Sequence, residues 1–369
     1  MNGTALLKET SVHNLKYDAI IVGGALSGSR TAELLARNGR DVLLIEEHEK
    51  IGLPCKCTGL VSWRTPEMLK NLPKRLVVNK LDKGKFYSPD KTNFVLKSKK
   101  SAYVLDRTGL DKFLFKQAMK AGAEVKTEHF ETFQYNNNHV EVKTSKGVYQ
   151  TKILIGADGA NSTVAQKANL PMPKNIFVGL QTTASGNFEQ FAELWFGKNT
   201  APNFFAWVVP ENEELARIGV STPTSPKPYY ERFLETRLNL NGLKPDVAGV
   251  IRFGVMKDTV ADRVMLVGDA ACQVKPFSGG GITYGLVAAQ ICADAIEKAF
   301  EKNKFDYKFF KQNYDLEWKK KLVPGINKGM MLRKILYPFP DSQVNLMFKM
   351  IKLFGYKILN KFDFDLLSG

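Results

Sequence analysis

Cysteine and histidine are both scarce in this chain, with four of each among 369 residues. The cysteines, Cys55, Cys57, Cys272 and Cys292, fall in two places and form no series of spaced pairs. That argues against a disulfide-stapled fold and points to a reducing compartment. Cys55 and Cys57 resemble half of a metal site, but Cys272 and Cys292 supply no C-x-x-C partner, so no metal is expected. Acids are also in short supply: 37 Asp and Glu stand against 53 Lys and Arg, a net charge of +16. Such an excess draws a protein toward anions, whether nucleic acid, acidic lipid headgroups or phosphorylated small molecules. Zinc-finger, helix-turn-helix and RNA-binding aromatic signatures are missing, so nucleic acid is not an expected partner. No uninterrupted apolar run is long enough to span a bilayer. The first residues, MNGTALLKETSVHNLK, lack the apolar centre of a secretory signal. The expectation is a cytoplasmic protein that can also lie peripherally on the inner face of the cell membrane.

What the chain does have is the balance of a globular protein, 44% hydrophobic and 24% charged, at a length suited to two interlocked domains. Residues 17–23, YDAIIVG, are almost wholly apolar, as in a strand buried on both faces. Residues 29–38 have helical spacing, and DVLLI at 41–45 reads as a second buried strand. The three make a β-α-β unit. Residues 74–100 are less regular and heavily basic, and 109–121 form an amphipathic helix. The turn Ser145-Lys146-Gly147 between alternating residues signals a hairpin, and KILIG at 152–156 is another buried strand. From about 166 to 255, polar, aromatic and β-branched runs alternate, which predicts an antiparallel sheet. RVMLV at 263–267 returns to the buried pattern, and 281–300 is a long helix.

The expected fold is α/β. A discontinuous Rossmann-like domain takes residues 14–75, 101–165 and 256–300. An inserted antiparallel-sheet domain takes 76–100 and 166–255, and a helical basic region takes 301–369.

Between the first strand and helix stands Gly23-Gly24-Ala25-Leu26-Ser27-Gly28. Dinucleotide binders place G-x-G-x-x-G there: one glycine for the turn, one for approach of the pyrophosphate, one for helix–strand packing. Ala25 occupies the second position. Glu46, at the end of the second strand, is placed to accept hydrogen bonds from an adenosine ribose. Asp269 stands just past a later strand, where a carboxylate can hold the sugar-alcohol chain of a flavin. Gly279-Gly280-Gly281 then opens a helix whose free N–H groups suit an anionic flavin edge.

The elements GGALSGS, Asp106-Arg107, GADGANSTV and VGDAACQVKPFSGGG resemble the flavoprotein superfamily typified by p-hydroxybenzoate hydroxylase. Within it, IGLPCKCTGLVS at 51–62 and KPFSGGGITYG at 275–285 are most similar to the geranylgeranyl reductase family. The resemblance implies FAD as cofactor. It implies contacts from Gly23, Ser27, Gly28, Glu46, Cys57, Thr58, Leu60, Arg107, Asp158, Asp269, Pro276, Gly280, Gly281 and Ile282. It also implies a substrate wall in the aromatic strands, with Trp195, Phe205, Trp207 and Pro210 as its candidates. In the segment FFAWVVP, Phe205 and Val209 replace the family's tyrosine and phenylalanine.

The implied activity is saturation of carbon–carbon double bonds in geranylgeranyl chains of membrane lipids, with hydride from reduced flavin N5. Cys57 is the candidate catalytic side chain, as proton donor or positioner. NADPH or ferredoxin would supply electrons, the latter as an electron-donor protein. The basic apolar stretch at 327–367 suits an anionic membrane surface. Two rivals stand beside this reading. One is a flavin-dependent monooxygenase or halogenase on the same fold. The other is a lipid- or nucleic-acid-binding protein with a vestigial flavin site.

Overall fold

The computed structural model describes residues 17–55 and 57–354. Residues 14–16 of the expected cofactor domain, Lys56 in the loop after the second strand, and residues 355–369 of the expected helical region lie outside the described residues.

The first sheet is built on five parallel strands in the order Val264–Leu266, Val148–Gly156, Tyr17–Val22, Val42–Glu46, Glu124–Thr127. Alternate residues of the first strand serve opposite faces. Ala19 and Ile21 pack against helices Leu26–Arg37, Arg107–Ala121 and Ile282–Lys302, whereas Ile20 and Val22 pack under the hairpin Phe130–Asn136/His139–Thr144. Burial on both faces explains why four of these five strands contain apolar runs, whereas the edge strand Glu124–Thr127 (EVKT) is only partly buried and carries none. Tyr17–Val22 lies centrally, with the second strand on one side and Val148–Gly156 on the other. A crevice therefore opens at its carboxyl end, where the strand order reverses.

The second sheet runs Val247–Arg252, Ile176–Ser185, Leu215–Thr222, Ala206–Pro210, Ala192–Trp195, Val77–Tyr87, Asn93–Leu105, Leu60–Val61. All its pairs are antiparallel except Ala192–Trp195 with Val77–Tyr87. The stretch read as irregular, 74–100, contains two of its longest strands, of 11 and 13 residues. Register shifts between Val77 and Asn79 and between Leu81 and Lys83 break the alternation that would have revealed them.

The chain then returns to the first sheet. Helix Ile282–Lys302 packs on it, followed by Tyr307–Phe310, a wide π turn at Lys311–Asp315 and helix Leu316–Leu336. The wide turn holds both Tyr314 and Asp315 fully inside. Asp315 Oδ1 accepts from the Thr259 amide at 3.0 Å and from its hydroxyl at 2.7 Å, while Oδ2 meets Lys311 and Lys319 at 2.7 Å. Trp318 Nε1 donates to Thr259 Oγ1 at 2.9 Å. The last described helix, Asp341–Phe354, lies on strand Asn93–Leu105.

Asp315→Ala would leave the buried Thr259 amide without an acceptor. We expect a loss of roughly 3 kcal/mol, read as a lower urea midpoint at unchanged slope. Asp315→Asn keeps an acceptor and should lose less.

Candidate functional site

Five loops leave the carboxyl ends of the parallel strands and meet at one cavity of about 920 Å³, which continues between the two sheets. Gly23 has φ +104°, and a Cβ there would overlap the Ala157 carbonyl, so the first turn needs glycine. Gly28 does not face the cavity. A Cβ on it would run into the Gly23 carbonyl, so its part is close packing of helix on strand. Ala25 lines the cavity at φ −76° and needs no glycine. Ala25 supplies no side-chain cap to helix Leu26–Arg37, and the Leu26 amide donates to the Asp111 carboxylate, which leaves the rest of the helix start to face an anion.

Glu46 ends its strand on the cavity wall. Its Oε2 accepts the Gly24 amide at 2.7 Å, and its Oε1 lies 2.7 Å from His48 Nδ1. The carboxylate is held in place yet keeps lone pairs for a sugar hydroxyl. Asp158 also borders the cavity, but its oxygens are occupied by the Ser162 hydroxyl at 2.6 Å and the Val164 amide at 3.0 Å. Burial raises its carboxyl against those bonds. Its evident work is closing its own loop.

Arg107 opens helix Arg107–Ala121, and its Nη2 binds both oxygens of Asp111, one turn on, at 3.0 and 2.9 Å. Burial opposes its charge, and Asp111 outweighs that, so the guanidinium stays charged. Its Nε and Nη1 are buried with no hydrogen-bond partner among the described residues. Asp269 is reachable from the cavity and otherwise enclosed by protein. Enclosure raises its carboxyl, and Arg107 pulls the other way. A Cβ on Gly281, at the start of helix Ile282–Lys302, would come within 2.6 Å of Asp269 Oδ1. Cys57 Sγ accepts the Gly59 amide at 3.3 Å, and burial raises its thiol more than Arg107 lowers it.

The other end of the cavity is apolar, walled by Phe86, Leu194, Phe204, Phe205, Trp207 and Phe277. Trp207 Nε1 donates to Gln181 Oε1 at 3.1 Å, and Thr58 donates to the same oxygen at 2.7 Å.

Most of the sequence-predicted residues thus meet at this cavity: Gly23, Ser27, Glu46, Cys57, Thr58, Leu60, Arg107, Asp158, Asp269, Gly280, Gly281, Ile282, Phe205 and Trp207. Four do not line it. Besides Gly28, Pro276 is turned aside and its carbonyl accepts Arg333 Nη1 at 3.2 Å. Pro210 accepts Asn79 through its carbonyl at 3.0 Å. Trp195 must be corrected as a substrate candidate, because its ring stacks on Tyr87 at 3.7 Å in a core formed with Phe233 and its Nε1 binds Glu193. Sequence reasoning missed Asp111, although its place four residues after Arg107 was a usable sign. It missed Gln181 and Phe86, which carry no local signal, and it did not single out Phe204 and Phe277, although both lie in segments that it had marked.

The arrangement fits a flavin dinucleotide: orphaned guanidinium donors, a helix start whose N-cap residue supplies no side-chain cap, a glycine that a methyl would spoil and a fixed carboxylate beyond the second strand. The comparisons agree. The chain matches the family described as FAD binding domain over residues 16–290. It is 31% identical to the digeranylgeranylglycerophospholipid reductase of Methanocaldococcus jannaschii, covering 89% of each chain. It is 29% identical to digeranylgeranylglycerophospholipid reductase 2 of Methanothermobacter thermautotrophicus, covering 92% of each. Among solved structures, a geranylgeranyl bacteriochlorophyll reductase-like protein of Thermoplasma acidophilum superposes with TM-score 0.86 at 24% identity, over 95% of this chain and 94% of that one. A flavin-dependent brominase superposes with TM-score 0.72 at 14% identity, over 95% and 93%. Both share the fold.

FAD retention should depend on these groups. Arg107→Met and Gly281→Ala should each weaken FAD binding by at least about tenfold, as one or two charged hydrogen bonds or a clash of this size would require. Flavin absorbance after gel filtration reads it. Retention equal to the parent protein would count against both assignments.

Proposed function

The chain belongs to the geranylgeranyl reductase family of FAD-dependent oxidoreductases, and on that footing we propose that it saturates carbon–carbon double bonds in the prenyl chains of a lipid. One observation carries the reading: the cofactor end and an aromatic, hydrocarbon-compatible chamber are two ends of the same cavity. The names of the curated relatives support it.

In this reading Gly23, Ser27 and the start of helix Leu26–Arg37 receive the pyrophosphate, and Glu46 takes the adenosine ribose. Arg107 and Asp269 flank the flavin side, and Gly280, Gly281 and Ile282 bring backbone against the ring. Reduced FAD supplies hydride from N5, with NADPH or a ferredoxin-type donor as the source of electrons. Phe204, Phe205, Trp207 and Phe277 hold an alkene chain and keep water away. Cys57 keeps its thiol proton at neutral pH, because burial raises it. It can therefore hold a proton at Sγ on the cavity side.

Anaerobic reduction of the purified protein in the presence of a geranylgeranyl lipid should add one hydrogen pair of mass per reduced bond. Hydroxylated or halogenated products in air, with no such gain, would replace this reading with the rival flavin chemistries. In the same assay Cys57→Ala should slow reduction. An unchanged rate removes Cys57 from the mechanism.

The reading also includes a membrane surface as the place of contact. In helix Asp341–Phe354, Val344 and Phe348 pack with Phe86, Phe205 and Phe277, residues of the chamber wall. The opposite side bears Leu346, Met350, Leu353 and Phe354, exposed by 61, 50, 72 and 71%. Lys349, which pairs with Asp90 at 3.1 Å, and Lys352 lie along one side of that stripe. An apolar stripe edged by lysine suits an anionic bilayer. Sedimentation with phosphatidylglycerol vesicles should exceed that with phosphatidylcholine vesicles. Leu353→Glu combined with Phe354→Glu should lower it by at least about tenfold. Equal sedimentation of parent and variant would remove this surface from the reading.

A further inference from the structure

Gln181 belongs to none of the motifs that led to the site. It lies on strand Ile176–Ser185, is 4% exposed and lines the cavity where the cofactor end gives way to the aromatic chamber. Its Oε1 accepts from Thr58 Oγ1 at 2.7 Å and from Trp207 Nε1 at 3.1 Å. An indole N–H can only donate, so the amide atom facing Trp207 must be the oxygen. That fixes the direction of the whole amide. The nitrogen end has no protein partner among the described residues and is not sealed from the cavity.

The segment that Gln181 holds is the one bearing Cys57. Thr58 is gripped a second time, through its carbonyl, by Arg217 Nη1 at 2.5 Å, and the same nitrogen binds the Leu105 carbonyl at 2.9 Å. Arg217 lies on the strand paired with that of Gln181. Gly59, next along, has φ +75°, and a Cβ there would lie 2.6 Å from Arg217 Nη1. Two neighbouring strands of the second sheet therefore hold a loop that the first sheet's cofactor needs. Arg217 fixes its backbone. Gln181 links it to a side chain of the chamber wall, Trp207.

We propose that Gln181 is a positioning residue for the reduction, a latch that sets Cys57 and Thr58 in register with Trp207 so that flavin side and alkene side keep one geometry. The proposal rests on the prenyl-reductase reading for its kinetic consequence but not for its structural one. Two readouts therefore test it. The first is the alkylation rate of Cys57 by N-ethylmaleimide in the FAD-loaded protein, followed by peptide mass spectrometry, which needs no substrate. The second is single-turnover alkene reduction by pre-reduced protein.

Gln181→Leu removes the acceptor, and Thr58→Val removes the same bond from the loop side without touching the sheet. Each should raise Cys57 alkylation severalfold and slow the reduction step roughly ten- to a hundredfold, the scale of a misplacement near one ångström. KM should change little, since the wall remains. Gln181→Glu keeps an oxygen for both donors and should restore most of the parent behaviour. The pair Gln181→Leu with Thr58→Val should cost little more than either alone. Unchanged Cys57 alkylation in both single variants overturns the latch. So does a Gln181→Glu variant as impaired as Gln181→Leu, which would move the role to the nitrogen end. If the parent protein reduces no alkene, the prenyl reading fails, and the alkylation rates still decide the latch.

Discussion

Arg107 is enclosed where the two sheets meet, and a guanidinium there must both stay charged and find acceptors for its N–H groups. Asp111 solves only the first problem. Its carboxylate takes Nη2 from one side, leaving Nε and Nη1 buried and unmet. Unmet buried donors cost on the order of 1–3 kcal/mol each, more on a charged group. A fold that keeps such a group keeps it for a ligand, and a ligand oxygen that satisfies it stabilises the folded state by linkage. The same charge reaches Cys57 and Asp269, where it offsets part of the upward push of burial, which still raises both. One buried cation thus ties together the helix after the second sheet's long strands, the cysteine loop and the turn beyond the last parallel strand.

That turn depends on the far end of the chain. The Gly268 amide donates to Gln273 Oε1 at 2.7 Å, Gln273 Nε2 to Tyr314 at 3.1 Å, and the Tyr314 hydroxyl to the Leu266 carbonyl. Tyr314 and Asp315 come from the wide π turn and both act at the carboxyl end of the short strand before Asp269, Tyr314 on the Leu266 carbonyl and Asp315 on Thr259, whose carbonyl accepts the Leu266 amide. The π turn at Lys311–Asp315 is therefore part of the cofactor end's support. The described residues contain no helix long and apolar enough to cross a membrane.

The parallel strands and the glycine turn were legible in the sequence for a plain reason. Burial on both faces forces an apolar run, and the reversal at Gly23 forces glycine through φ, so each constraint acts within a few consecutive residues. Glu46 and Asp269 were legible because they follow such strands directly. Residues 76–100 were assigned to the second sheet's domain, but individual strands of that sheet were legible only from about residue 166 onward. Before that its strands carry lysines on a solvent face and bulges that break the period of two. The chamber wall was harder still. Phe86, Phe204 and Phe277 come from three distant segments, and any aromatic strand serves a core as well as a cavity. Trp195 illustrates it: four residues of alternating strand, Ala192–Trp195, send Leu194 to the cavity and Trp195 to the core behind. No local pattern says which face is which.

The brominase-like neighbours share this fold at 14% identity, so backbone architecture does not choose the chemistry. On the proposed reading the chemistry depends on what the second sheet presents to the cofactor loops and on how it is held against them. In this chain the register is held by polar contacts from two adjacent strands, Arg217 on backbone and Gln181 on side chain. Beyond Gln181 the wall is chiefly aromatic, through Phe205 and Phe204 to Phe277, although Lys83, Glu193 and Lys275 also line the cavity. A hydrocarbon gains by filling the aromatic part. On the proposed reading that wall favours a hydrocarbon chain, and the contacts of Gln181 set where it meets the cofactor end.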